Sequence, residues 1–117
     1  MSQERRALPR YRVFRAVRLH RASPPQVIET LITDLAAGGM RCVTPTPLPV
    51  STELSIELLL SDGSEPCMVT GRTIWAERLT KSRHAHLGVE FIDAKPRHQR
   101  RLSVYVKRLA DAPDGCV

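Results

Sequence analysis

Three guanidinium groups fall within six positions near the N-terminus, at Arg5, Arg6 and Arg10 of the run Arg5-Arg6-Ala7-Leu8-Pro9-Arg10. A guanidinium is a planar fork of five fixed N–H donors. It matches phosphate or carboxylate oxygens two at a time and stacks on flat rings. A cluster of this density suits an anion with a flat face. Basic runs at termini are also commonly solvated and bind nothing in particular. A second group elsewhere in the chain is therefore needed to define a site.

The run Asp34-Leu35-Ala36-Ala37-Gly38-Gly39 supplies a candidate. Asp34 can accept hydrogen bonds from a base edge or a backbone, or it can fix an arginine. Two successive glycines permit positive φ and let the backbone approach a ligand closely. The alternative is a plain turn in which Asp34 bonds its own backbone. Trp75, the single tryptophan, is either a core aromatic or a stacking wall for a base. Arg41 and Arg72 are further cations that could face the same anion.

Other chemistry is weakly supported. His84 and His86 share a strand face, but a metal site needs a third ligand and none is evident. Ser, His and Asp occur without the spacing of a nucleophile elbow. A binding protein without catalytic activity is expected. Cys42, Cys67 and Cys116 are odd in number and lack CxxC spacing, which argues against structural zinc and a disulfide framework. Cys42 and Cys67 lie among apolar residues and read as buried thiols.

Composition bounds the rest. The chain has 117 residues, enough for one domain, with 42% hydrophobic and 26% charged residues. No apolar run approaches the roughly 20 residues that span a bilayer. The N-terminus is charged with no apolar stretch behind it, so no secretory signal is read and a cytoplasmic location is expected. The net charge is +6, carried mainly by arginine. Phosphate-bearing ligands, anionic lipid and acidic protein surfaces are the partner classes this favours.

The elements that must position these residues are mostly strands. Period-two alternation predicts strands over 10–20, 27–33, 40–43, 53–60, 67–78 and 84–92. In the fifth, Val69, Gly71, Thr73 and Trp75 share one face. Ala22-Ser23-Pro24-Pro25, Ser61-Asp62-Gly63-Ser64 and Lys81-Ser82 read as turns, and Asp34–Gly39 as a loop between strands two and three. Three prolines between Thr44 and Pro49 exclude a central strand there. After Pro96 the period changes, and Leu102, Tyr105, Val106 and Leu109 predict an amphipathic helix of about three turns. Six short strands and one terminal helix indicate an all-β antiparallel barrel or sandwich.

Arg6-Ala7-Leu8-Pro9-Arg10 followed by Asp34-Leu35-Ala36-Ala37-Gly38-Gly39 resembles the PilZ domain family, bacterial receptors for the second messenger cyclic di-GMP. The family signatures are RxxxR and (D/N)xSxxG. The first is matched in full and the second at Asp34 and Gly39, with Ala36 in place of the usual serine. The resemblance spans essentially the whole chain, including Gly88-Val89-Glu90-Phe91 and the final helix. It implies a six-stranded antiparallel barrel with a flanking C-terminal α-helix over 10–110, an arginine-rich arm over 1–9 and a tail over 111–117.

The resemblance further implies that Arg6 and Arg10 grip phosphates and guanines, that Asp34 accepts from a guanine edge, and that Gly39 allows close approach. Trp75 would be an aromatic contact. Arg5 implies an intercalated dimer of cyclic di-GMP, two ligands per domain. Cyclic di-GMP is then a ligand and no cofactor is required. An unidentified downstream protein would read the ordered arm. Two rivals stand beside this. One is a PilZ-like interaction module that binds no nucleotide, favoured by Ala36. The other is a small basic barrel gripping nucleic-acid phosphates, disfavoured because Trp75 with Tyr11, Phe14, Phe91 and Tyr105 makes a poor stacking platform.

Overall fold

A computed structural model describes residues 11–45, 47–60, 65–79 and 83–111. Six strands precede one helix: β1 Tyr11–Arg21, β2 Gln26–Ala36, β3 Gly39–Thr44, β4 Glu53–Leu58, β5 Cys67–Arg78, β6 Ala85–Asp93 and α1 Pro96–Asp111. The strands close a barrel in the order β1-β2-β3-β6-β5-β4, every neighbouring pair antiparallel. The barrel, rather than the sandwich, is the outcome. Closure leaves no strand edge for another chain to pair with.

Alternation explains the core. Val17 and Leu19 of β1, Ile28 and Ile32 of β2, Leu54, Ile56 and Leu58 of β4, and Leu87 and Val89 of β6 point inward and are buried. Leu60 is buried just beyond the end of β4. The proline-rich segment after β3 forms no strand, and its Leu48 drops into the core. Thr73 is a buried polar residue that is fully occupied. Its hydroxyl donates to the Pro49 carbonyl at 2.6 Å and accepts from the Thr52 amide at 2.8 Å.

The 22–25 turn is as expected, whereas 61–64 and 81–82 lie outside the described residues. Two expectations are corrected. The helix has 16 residues, longer than three turns. The 34–39 run is not a loop: β2 continues through Ala36, only Ala37 and Gly38 turn, and β3 begins at Gly39. Ala36 pairs directly with Gly39 across that tight turn. The ladder absorbs residues whose small or polar side chains resembled loop composition.

One face of α1 covers a barrel mouth. Leu102 is buried, with Tyr105, Val106 and Leu109 packed against the core. His98, buried in the first turns, clamps the helix to β5. Its Nδ1 accepts the Met68 amide at 3.2 Å, and its carbonyl accepts the Cys67 thiol at 3.3 Å. Burial, then the Arg97 cation, with smaller contributions from Arg101 and Lys95, push the His98 pKa down; Glu65 opposes them. Among the described residues no helix is long and apolar enough to cross a membrane.

Candidate functional site

Two bulges build the site. In β2, strict alternation from Ile28 through Ile32 would carry Asp34 into the core. The β2–β3 register shifts between Ile32 and Asp34, so two steps on β2 answer one on β3. That extra residue reverses the facing. Leu35 becomes the inward side chain and Asp34 turns outward, opposite Arg41. In β5 the same device acts between Thr73 and Trp75, which pair with the adjacent residues Val89 and Gly88. Thr73 stays inward and Trp75 leaves that face. Sequence alternation put Trp75 with Val69, Gly71 and Thr73; the bulge overturns this, and Trp75 is half-buried rather than part of the core.

The two displaced residues end up in one row. Asp34 pairs with Arg41, Arg41 with Gly88, and Gly88 with Trp75, on β2, β3, β6 and β5 in turn. Met40 and Cys42 are buried on β3, and Leu87 and Val89 on β6, so Arg41 and Gly88 take the outer face. The backbone of Arg12 extends the row to β1, opposite Asp34. Five strands thus present a continuous strip on the barrel exterior.

Within the strip, Arg41 Nε donates to Asp34 Oδ2 at 2.7 Å. The side chains are 35% and 17% exposed, so water screens the pair only in part. Asp34 therefore fixes an arginine, one of the roles its sequence context allowed. Arg41 spends Nε on this bond, and its two terminal nitrogens have no partner among the described residues. The Trp75 indole lies directly over Gly88. A Cβ built on Gly88 would meet the indole Nε1, Cε2 and Cδ1. Glycine is required there because the ring occupies the space of a side chain.

Gly39 has a comparable role with a different neighbour. The space its missing Cβ leaves is filled by the Val89 carbonyl oxygen of β6, and its φ is not in the left-handed region. Gly39 serves close strand packing in this structure. Ala36 is buried beside it at 6% exposure. Arg72 is off the strip, between Glu53 of β4 and Glu90 of β6 in the register.

Arg5, Arg6 and Arg10 lie outside the described residues. The chain enters β1 at Tyr11, which pairs with Leu35 next to Asp34. Gly88 and Arg41 are the strip residues that sequence reasoning undervalued. An isolated glycine inside an alternating strand was the available signal for Gly88. Among the described residues no three His, Cys, Asp or Glu side chains cluster as metal ligands. Cys42 and Cys67 are buried free thiols, and burial pushes Cys42 up to about 12, where it is unreactive.

Comparison with known proteins agrees with this architecture. No curated protein sequence matches the chain. Among solved structures, the PilZ domain of Escherichia coli YcgR with c-di-GMP superposes with a TM-score of 0.70 at 17% identity, over 97% of this chain and 99% of that one. The K. pneumonia MrkH–c-di-GMP complex gives a TM-score of 0.75 at 19% identity, over 88% of this chain and 51% of that one. The Bacillus subtilis inhibitor of motility MotI gives 0.71 at 18%, over 92% and 52%. The chain thus spans about half the length of MotI and MrkH. The PilZ domain profile matches residues 4–108, which places this chain in the PilZ domain family.

Proposed function

We propose that this chain is a cyclic di-GMP receptor without catalytic activity, acting in the cytoplasm and signalling through a partner protein. The observation that carries it is the strip Asp34–Arg41–Gly88–Trp75, which joins an anchored cation to a supported aromatic ring on the outer face. The family match, which includes the arginine run, and the c-di-GMP complexes of YcgR and MrkH support it.

In this reading Arg6 and Arg10 grip the phosphates and guanines. Asp34 serves twice, holding Arg41 and accepting from a guanine edge. Trp75 offers its ring as a stacking surface, worth about 1–3 kcal/mol per base. Arg5 sets the stoichiometry at two stacked ligands. Ordering of the arm by the phosphates would present a new surface to the partner. Ala36 lacks the hydroxyl of the family pattern. One neutral hydrogen bond contributes about 0.5–1.5 kcal/mol, so its loss weakens binding by about tenfold or less.

Titration calorimetry with cyclic di-GMP tests the proposal. Binding at micromolar ligand is expected, at two ligands per chain, and is lost in Arg6→Ala and Arg10→Ala. Binding indifferent to both substitutions would refute the roles given to Arg6 and Arg10, and no heat at all would favour the rival supported by Ala36: a PilZ-like interaction module that binds no nucleotide.

A further inference from the structure

A second basic feature lies away from the Asp34–Trp75 strip. A groove of about 820 Å³ runs between α1 and the barrel mouth, walled by Arg15, Arg97, Arg100, Arg101 and Arg108. Leu60, Val104 and Leu109 give it an apolar floor, beside the Tyr105 ring. Among the described residues that line it, none is acidic. Arg97, Arg101, Val104 and Arg108 recur at helical spacing, so they form one stripe. The eleven steps from Arg97 to Arg108, each a rise of about 1.5 Å, make that stripe about 16 Å long, the reach of about five extended residues.

The groove is not a by-product of folding. The core-facing side of α1 is Leu102, Val106 and Leu109, whereas Val104 is 49% exposed, an apolar residue that no described element covers. Arg100 and Arg108 have no partner among the described residues. Arg97 has only a solvent-exposed pair with Glu65, at 3.2 Å, which contributes little. Arg15 Nε donates to the Tyr105 hydroxyl at 3.1 Å, which holds that ring at the groove wall. Arg100 and Arg108, like-charged and unpaired among the described residues, gain most from an anionic occupant. Arg and Tyr around an apolar pocket are the residue types that dominate binding energy at protein interfaces.

We propose that this groove is the docking surface for an acidic, amphipathic segment of a partner protein. The inference rests on the receptor reading above for the need of a partner, and it assigns the surface that partner meets. Carboxylates answer the arginines and one or two aliphatic side chains fill the floor. A nucleic-acid backbone would leave the apolar floor empty, and a flat bilayer would not enter a recess behind the helix.

The test uses the full chain, uniformly ¹⁵N-labelled, and a synthetic helical peptide carrying Glu with Leu at i, i+4 spacing. A peptide with Gln for Leu, phosphatidylglycerol vesicles and duplex DNA are the comparison arms. The expected result is amide shifts concentrated at Leu60 and along α1. Binding should weaken by about tenfold or more in the Arg100→Glu/Arg108→Glu double variant. Val104→Glu, on the same exposed stripe, should weaken it independently. Both variants should retain cyclic di-GMP heats, so loss of the nucleotide alone refutes the receptor reading and leaves the docking surface standing. Absent shifts, equal binding of the Gln peptide, tighter binding to vesicles or DNA, or an unaffected double variant would overturn the inference.

Discussion

Gly88→Ala is a one-carbon change that separates the strip from the barrel beneath it. Its Cβ would lie 2.7 Å from the Trp75 indole Cδ1 and closer still to the ring nitrogen. Real contacts begin well beyond this, so the ring or the strand must move. The indole is half-buried, whereas the Gly88 backbone is held by pairing to both Arg41 and Trp75. The ring therefore yields, and the fold loses only the lower part of the roughly 1–3 kcal/mol typical of overpacking. Ligand binding loses more. A displaced stacking surface forfeits about 1–3 kcal/mol, or roughly tenfold to a hundredfold in affinity. Trp75 is the single tryptophan of the chain, so its fluorescence reports the displacement directly, with a red shift as the ring enters water. Calorimetry with cyclic di-GMP reads the affinity. In a Trp75→Ala background, Gly88→Ala should have no further effect on binding. An unchanged emission maximum with unchanged affinity would refute the stacking argument, as would additive losses in the double variant.

Three further outcomes follow from the same geometry. Gly39→Ala places a Cβ against the Val89 backbone carbonyl, which cannot move without opening the β3–β6 ladder; a loss of about 1–3 kcal/mol is expected in urea unfolding, and an unchanged midpoint would contradict it. Asp34→Asn removes the charge that holds Arg41 Nε; the partly screened pair contributes about 1 kcal/mol to the fold, while ligand affinity should fall by more than stability does, read by calorimetry beside thermal melts. His98 is neutral when folded and its pKa is pushed below 6.5, so the unfolded chain takes up a proton first as pH falls. Its contribution is complete above pH 6.5 and declines as pH falls through the lowered value; melting temperatures followed from pH 8 to pH 5 should drop more steeply in the parent than in His98→Gln, and parallel curves would refute the assignment.

Much of the barrel was legible because burial on one face imposes a period of two. Leu54, Ile56, Leu58 and Leu60 announced the fourth strand and its inner face, and all four are buried. The terminal helix was legible for the equivalent reason: Leu102, Tyr105, Val106 and Leu109 all contact the core. Its length was not, because the first turns are polar and their anchor is His98, whose burial depends on β5 passing beneath it. The proline-rich stretch after β3 read as irregular, yet nothing local marked Leu48 as a core residue.

The strip shows where local pattern ends. Asp34, Arg41, Gly88 and Trp75 are spread over 55 positions, from 34 to 88, as their numbers in the sequence show. The types and spacing of Arg6, Arg10, Asp34 and Gly39 were sufficient to indicate the family. They were insufficient to say that Gly39 makes room for a carbonyl, or that Asp34 holds Arg41. A bulge has no sequence signature of its own, since it exists only relative to the strand it pairs with. Sequence alone determined which faces could be apolar, which residues could carry chemistry, and the family they resemble. The closed ladder decided the parity at Asp34 and Trp75, because register is a property of two strands and a one-residue slip sends a side chain to the opposite face.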